Sequence, residues 1–275
     1  MDQDTLIKLR KVEVEILDEF VQICEENNLV YFITSGTLIG AVRHKGFIPW
    51  DDDIDVAMPR KDYDTFIHIF QNNSCSNYYL LSYETTNNII KYYEPFAKLC
   101  KKDTLFIDIN NTNNSPGIFI DIWPFDNCIL FLAPLQTKLV KFFWRFFRMS
   151  INVDIPKKNK TIFLLNLFLF FFPNKMLNKL HNFLNIIFNK YNTRHISFFS
   201  GRYGYKKETH RYDIIFPLTK IYFEGKYYCA PGNWDAYLKN EYGNYMEIPP
   251  VEQQVCHEPV CIIFSDKEQY KSQKA

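Results

Sequence analysis

The segment Trp50-Asp51-Asp52-Asp53-Ile54-Asp55-Val56 sets four carboxylates among apolar residues. In an extended chain alternate side chains share a face, so Asp51, Asp53 and Asp55 are expected to project together while Asp52, Ile54 and Val56 point the other way. Three like charges on one surface repel unless a cation neutralises them, and carboxylate oxygens are the hard ligands that Mg²⁺ or Mn²⁺ takes. A lone Asp-x-Asp is common in solvated acidic loops. Here Ile48 and Trp50 precede the aspartates and Ile54, Val56 and Met58 follow, which predicts a core strand from Trp50 to Met58. Buried charges are paired or bind metal, so Asp51, Asp53 and Asp55 are the expected ligands.

A further carboxylate must come from another segment, because phosphoryl-transfer sites place ligands on more than one side of the reacting phosphate. Asp121, in Gly117-Ile118-Phe119-Ile120-Asp121-Ile122-Trp123, interrupts an apolar strand. That placement costs free energy unless the group ligates metal or pairs with a cation such as Lys98. Asp126, two residues after Pro124, reads as a turn residue. Upstream, Ser35-Gly36-Thr37 opens a helix, where free N–H groups and the helix dipole attract phosphate, and a glycine permits close approach. Taken alone it is an ordinary helix start. The order of small polar turn, helix, loop and carboxylate strand is the layout of nucleotidyltransferase-type sites, and it makes Gly36 and Thr37 candidate phosphate contacts. Arg43, His44 and Lys45 form a basic loop able to reach a nucleotide or to lie solvated. Lys98 is a second cation for the same task.

Periodicity predicts the elements that position these groups. Leu9, Val12, Ile16, Leu17, Phe20 and Ile23 mark an amphipathic helix from Leu6 to about Asn27, followed by a buried strand at Val30 to Ile33 and a short helix through Val42. Pro59 ends the carboxylate strand, and Tyr63, Phe66, Ile67 and Phe70 mark a helix from Arg60. Strands are predicted at Tyr78–Leu81, Pro95–Cys100, Thr104–Ile109 and Gly117–Trp123. Ile221–Phe223 and Lys226–Cys229 flank a Glu224-Gly225 turn as a hairpin, a helix runs from about Asn233 to Glu241, and the tail after Ser265 reads as loose. The expectation is an α/β (α+β) fold, a mixed sheet flanked by helices, in one domain over residues 1–275 with a helical, aromatic-rich insertion at about 131–190.

Composition narrows the chemistry. The 275 residues carry 32 Lys and Arg against 31 Asp and Glu, a net charge of +1, so the chain lacks the broad field of a general nucleic-acid binder and phosphate recognition has to be local. Seven dispersed cysteines without a Cys-x-x-Cys point to reduced thiols, not a zinc site. The acidic start, Met1-Asp2-Gln3-Asp4, lacks the features of a signal peptide, and a cytoplasmic location is expected.

The run Gly36-Thr37-Leu38-Ile39-Gly40-Ala41-Val42-Arg43-His44-Lys45-Gly46-Phe47-Ile48-Pro49-Trp50-Asp51-Asp52-Asp53-Ile54-Asp55 closely resembles the signature of LicD-type phosphotransferases, which are related to the fukutin proteins. Gly117 to Asp126 resembles that family's second carboxylate block. Tyr237 to Pro250, with His257 following, resembles its C-terminal block; the likeness is weakest from Phe131 to about Arg211. The resemblance implies a nucleotidyltransferase-like fold and transfer of phosphorylcholine from CDP-choline to a cell-surface glycan of the lipopolysaccharide, capsule or teichoic-acid type. It implies Asp53 and Asp55 as core metal ligands, Asp51 as a third, and Asp121 as the further carboxylate able to accept the acceptor's proton. Gly36 and Thr37 would hold donor phosphate, and Arg43, His44, Lys45 and Lys98 would contact the nucleotide. A transferase of another activated group, polyol phosphate or sugar, and a non-catalytic membrane-associated module are the competing readings.

Thr161 to Phe172 is rich in Phe and Leu but is only about a dozen residues long, short of the roughly 20 that span a bilayer. With Phe142 to Arg148 it fits two expectations equally: peripheral contact with the inner face of a membrane through residues 142–172, suited to a lipid-linked acceptor, or a helical hairpin packed on protein.

Overall fold

The first helix, α1 (Gln3–Glu26), starts where the Asp2 carboxylate accepts the Thr5 N–H at 2.8 Å, and it buries Leu9, Val12, Ile16, Leu17, Phe20 and Ile23 along one stripe. One carboxylate, Glu13, is buried in the same stripe. In this computed structural model residues 1–72, 77–82, 92, 94–108, 116–150, 174–254, 256–257 and 259–272 are described; for 149, 150, 174 and 175 only the backbone is. The Lys157–Lys160 loop and the run from Thr161 to Phe172 lie outside the described residues.

After α1 come β1 (Phe32–Ile33), α2 (Ser35–His44), β2 (Asp55–Pro59), α3 (Arg60–Asn72), β3 (Tyr78–Leu81), β4 (Ala97–Lys101), β5 (Leu105–Asp108) and β6 (Phe119–Cys128). The main sheet is mixed and has the order β1-β2-β6-β4-β3. Register sets Ile33 opposite Val56, and Lys98 opposite Asp121. The chain divides into two compact units, Met1–Pro124 with Ile214–Ala275, and Phe125–Asp213.

The second unit holds α4 (Ala133–Ser150) and α5 (Asn174–Ile186), packed on one another, with Gln136 Nε2 donating to the Leu184 carbonyl at 2.8 Å. Beside them lie β7 (His195–Ser197), α6 (Tyr205–Glu208) and β8 (Thr209–Arg211), with α7 (Tyr212–Ile215) closing the unit. Residues 126–128 of β6 pair with β7. Asp126 therefore belongs to a strand and not, as its place after Pro124 predicts, to a turn. It is buried and accepts from Asn189 Nδ2 at 2.6 Å.

The first unit is completed by the hairpin β9 (Thr219–Phe223) and β10 (Lys226–Ala230), by α8 (Trp234–Tyr242) and by β11 (Pro259–Ile263) and β12 (Gln269–Lys271). Glu224 and Gly225 both take positive φ, 44° and 89°, as a two-residue turn matched to strand twist requires. The tail expected to be loose instead forms β12, which pairs with β11 in a small sheet with β5, and Lys8 of α1 pairs with Asp266 and with Glu268. A polar strand is legible only through its partner, and β11 is the partner that pattern reasoning passed over.

The carboxylate segment also departs from the strand expected over Trp50 to Met58. Regular strand begins only at Asp55; Asp51 to Ile54 is irregular. The reason lies in α1, where Arg10 donates from Nη2 to the carbonyls of Ile48 (2.7 Å), Pro49 (3.0 Å) and Asp51 (2.7 Å), and from Nε to Asp51 (3.0 Å). A planar guanidinium with donors in a fixed fork holds converging carbonyls, and those carbonyls then take no place in a ladder. Sheet pairing resumes where the Asp121 N–H reaches the Ile54 carbonyl at 2.9 Å.

The same loop needs Gly40. A Cβ there would lie 2.4 Å from the Gly46 carbonyl oxygen and 3.1 Å from the Ile48 nitrogen, both backbone atoms that cannot swing aside. Gly40→Ala is expected to destabilise the fold by about 1–3 kcal/mol through overpacking, despite the better helix propensity of alanine. Equilibrium urea unfolding checks this, and an unchanged midpoint would count against so tight a contact.

Candidate active site

Asp55 is fixed through three groups. Its N–H donates to Thr37 Oγ1 (2.8 Å), its carbonyl accepts the Thr34 N–H (3.1 Å), and its Oδ1 accepts Trp123 Nε1 (2.8 Å). Trp123 is itself stacked on Phe96 with ring centroids 4.3 Å apart. Asp121 is buried and accepts Lys98 Nζ at 2.5 Å, and that ammonium lies 3.4 Å from the centre of the Phe119 ring. Asp52 accepts the His257 N–H at 3.0 Å and lies 3.2 Å from His257 Nδ1, which is 3.8 Å from Asp53, so it sits beside this group and does not, as strict alternation predicts, point away from it.

Asp51 and Asp55 feel the charge of Asp53, as does Asp121, so the four carboxylates share one neighbourhood of the first unit; among the described residues, the side chains whose ligand atoms come within 4.8 Å of one another are Asp52, Asp53 and His257. Burial, and then the charges of Asp53 and Asp121, push the Asp55 carboxyl well above the usual carboxylate range, against the pull of its bond from Trp123. Asp51 is raised likewise by burial, then by Asp53 and Asp55. Asp121 is raised by burial, which outweighs the opposing effect of Lys98. Burial alone would lower His257, but the bond to Asp52 and the charges of Asp53 and Asp52 lift it to about 10. Without a cation His257 is thus a counter-charge to the carboxylates, and its Nδ1 also lies among the Asp52 and Asp53 oxygens that could take a metal.

The residues fit a divalent cation. Asp51 Oδ2 is buried with no hydrogen-bond partner, the donors are hard oxygens, and the carboxyls that crowd together here are those whose charged forms are disfavoured as they stand.

The other expected contacts are placed as follows. Gly36 faces Asp51: a Cβ on it would lie 2.7 Å from Asp51 Oδ2, so the glycine makes room for a carboxylate. Ser35, at the mouth of the same helix, takes φ 49°, a left-handed conformation that is costly outside glycine and recurs at ligand sites. Thr37 is buried, with its hydroxyl holding the Asp55 N–H. Arg43 turns to the C-terminal block, donating to the carbonyls of Tyr245 (2.9 Å) and Glu247 (3.3 Å) and to His44 Nε2 (2.8 Å). Lys45 is exposed and ends α2 in the left-handed region. Lys98 is engaged by Asp121. Arg43, His44 and Lys45 thus do not converge on the carboxylates as a single basic patch.

Three groups at the site escape pattern reasoning. Arg10 reads as an ordinary charge of α1, and His257 lies some two hundred residues from its partner. Glu13 did leave a signal, since it stands at helical spacing from Leu9, Ile16, Leu17 and Phe20 in an otherwise apolar stripe. It is 2% exposed, and burial, then the charges of Asp53 and Asp52, raise its carboxyl well above the ordinary range.

A mixed sheet flanked by helices, with carboxylates from a segment next to a helix mouth and from the neighbouring strand, defines a nucleotidyltransferase-like protein. The family model for the LicD/FKTN/FKRP nucleotidyltransferase domain matches residues 28–158. The chain is also 33% identical over 266 residues to the lipopolysaccharide cholinephosphotransferase LicD of Haemophilus influenzae, covering 94% of this chain and 97% of that one. An uncharacterized protein of Rickettsia prowazekii is 32% identical over 108 residues, 39% of this chain and 36% of its own. The chain belongs to the LicD family and is a transferase.

Raised carboxyls set the sign of a pH effect. A folded state that holds protons more tightly than the unfolded one is most stable below the folded values and loses that stability as pH rises through them. With a chelator present, the melting temperature is expected to fall as pH rises above the ordinary carboxylate range, and Mg²⁺ is expected to raise it more at higher pH, where it replaces protons. Asp55→Asn should raise the chelated melting temperature at pH 8 and blunt the response to Mg²⁺. Calorimetry reads both, and a Mg²⁺ response preserved in the variant would remove Asp55 from the ligand set.

Proposed function

We propose that this chain transfers phosphorylcholine from CDP-choline to a hydroxyl of a cell-surface glycan, lipopolysaccharide being the acceptor suggested by the Haemophilus relative's name. The reaction would run at the inner, cytoplasmic face of a membrane on a lipid-linked acceptor. The observation that carries the reading is the meeting of Asp51, Asp53 and Asp55 with Asp121 from the adjacent strand, beside the mouth of α2.

Asp51, Asp53, Asp55 and Asp121 would hold Mg²⁺ or Mn²⁺, which when bound supplies a Lewis acid for the donor's diphosphate. The acceptor oxygen attacks the phosphorus that carries choline; a new P–O bond forms as the bond from that phosphorus to the bridging oxygen breaks, and CMP departs with the electron pair. The hydroxyl proton passes to Asp121, whose burial favours the protonated form. Lys98 then offsets charge beside Asp121, Trp123 orients Asp55, and His257 holds Asp52 so that the segment keeps its shape. The N–H groups at the start of α2 receive donor phosphate, Gly36 gives the Asp51 carboxylate its room, and Thr37 acts by positioning Asp55. Arg43, His44 and Lys45 are left for the nucleotide.

Metal-dependent CMP release should be fastest with CDP-choline, against CDP-ribitol and UDP-sugars, in the presence of lipopolysaccharide. Preference for CDP-ribitol or a UDP-sugar would assign another activated group, and absence of turnover with every donor would favour a non-catalytic role. Asp53→Ala and Asp55→Ala should each cost more than the roughly 10–100-fold typical of groups one step removed from a metal. His257→Gln, which loses the counter-charge but keeps the backbone bond to Asp52, should fall within that 10–100-fold range and require more Mg²⁺ for half-maximal rate. An unchanged Mg²⁺ requirement would count against its role.

A further inference from the structure

The near-neutral chain is two oppositely charged stretches. Between Asn127 and Lys207 there are fourteen Lys and Arg and a single carboxylate, Asp154; the chain totals 32 and 31, so the remainder carries eighteen Lys and Arg against thirty Asp and Glu. Such asymmetry marks a surface meant for an anionic partner.

The same unit exposes large apolar side chains in helical register. On α4, Leu135, Leu139 and Phe142 line one face, with Lys138 and Arg145 exposed along it, and Leu130 and Phe131 precede the helix, Phe131 being 80% exposed. On α5 the exposed residues are Met176, Lys179, Phe183 and Ile186, with Lys190 just beyond. Spacings of three and four repeat along both helices, and each stripe alternates apolar side chains with cations. Neither helix carries an Asp or Glu, and among the described residues no helix is long and apolar enough to cross a membrane.

We propose that the Phe125–Asp213 unit docks on an anionic lipid bilayer, its exposed leucines and phenylalanines seated at the acyl boundary and its lysines and arginines on the lipid phosphates. Interfacial helices bind by this pairing of apolar area with cations whose stems reach back to the headgroups. A nucleic acid would satisfy the charge and leave Leu135, Leu139 and Ile186 in water. A second copy of the unit would cover the apolar residues and set like-charged faces against each other. The docking proposal rests on the second unit alone and not on the transfer reaction proposed for the carboxylates of the first.

The full chain, kept in chelator, is sedimented with vesicles of phosphatidylcholine containing phosphatidylglycerol, and with vesicles of phosphatidylcholine alone. Binding to the anionic vesicles is expected to be at least about tenfold tighter and to weaken between about 0.1 M and about 0.5 M salt. Lys138→Glu with Arg145→Glu should weaken it by roughly tenfold or more, as should Phe131→Ser with Phe142→Ser, with unaltered melting temperatures. CMP release on a soluble acceptor should be unaffected in these variants, which separates this docking from the chemistry. Equal binding to both vesicle types overturns the proposal without recourse to any variant. So does full binding after the phenylalanine replacements, tighter binding to poly(U) than to vesicles, or a dimer in velocity sedimentation that the phenylalanine replacements dissolve.

Discussion

Like charges held close together, out of water, are the condition that the rest of the first unit serves. Asp51, Asp53, Asp55 and Asp121 carry like charges, and burial penalises the charged forms of Asp51, Asp55 and Asp121 further. The fold resists the tendency to splay with contacts that are specific and mostly buried. Arg10 fixes the backbone ahead of the cluster, Thr37 and Trp123 hold the backbone and side chain of Asp55, and Lys98 holds Asp121. Paired and oriented in this way, the carboxylates are preorganised for the proposed cation, so that it need not gather them from a flexible chain at full entropic cost.

Those contacts explain why the unit is assembled from both ends of the chain. Arg10 and Glu13 come from the first helix, and His257 comes from the run leading into the small C-terminal sheet. Tyr237 of α8 meets the Thr34 hydroxyl at 2.7 Å, just ahead of the mouth of α2. The α2 helix is held at its other end by Gly40 against the Gly46 carbonyl. The C-terminal third thus takes part in fixing the site.

What was legible in the sequence follows from range. Helices α1, α2 and α3 and the β9–β10 hairpin announce themselves through local periodicity and turn residues, and they fall where the pattern puts them. The carboxylate segment was legible as chemistry and misread as geometry, because nothing between Trp50 and Ile54 reveals that a guanidinium forty residues away has taken the carbonyls a strand would need. Asp126 was misread for a related reason: its partner Asn189 lies sixty-three residues on. A buried aspartate and a turn aspartate look alike until that partner is known. Gly36 shows a third kind of difference, since the space a glycine leaves was expected to admit phosphate and here admits the Asp51 carboxylate.

Net charge is the bluntest of these readings, since a sum near zero constrains the far field only when the charges are interspersed. Screening falls off over roughly 8–10 Å at ordinary ionic strength, so a surface acts through the charges within that distance and not through the total. Thirteen excess cations concentrated between Asn127 and Lys207 are therefore a local field of their own, whatever the carboxylates elsewhere contribute to the sum. The excess acid elsewhere in the chain includes the carboxylates of the candidate active site, while six of the fourteen basic residues of the other stretch lie on α4 and α5 beside exposed apolar side chains. The chain divides the two mainly between its compact units, and the division at Pro124 and Phe125 falls inside β6, the strand that carries Asp121 on one side and Asp126 on the other.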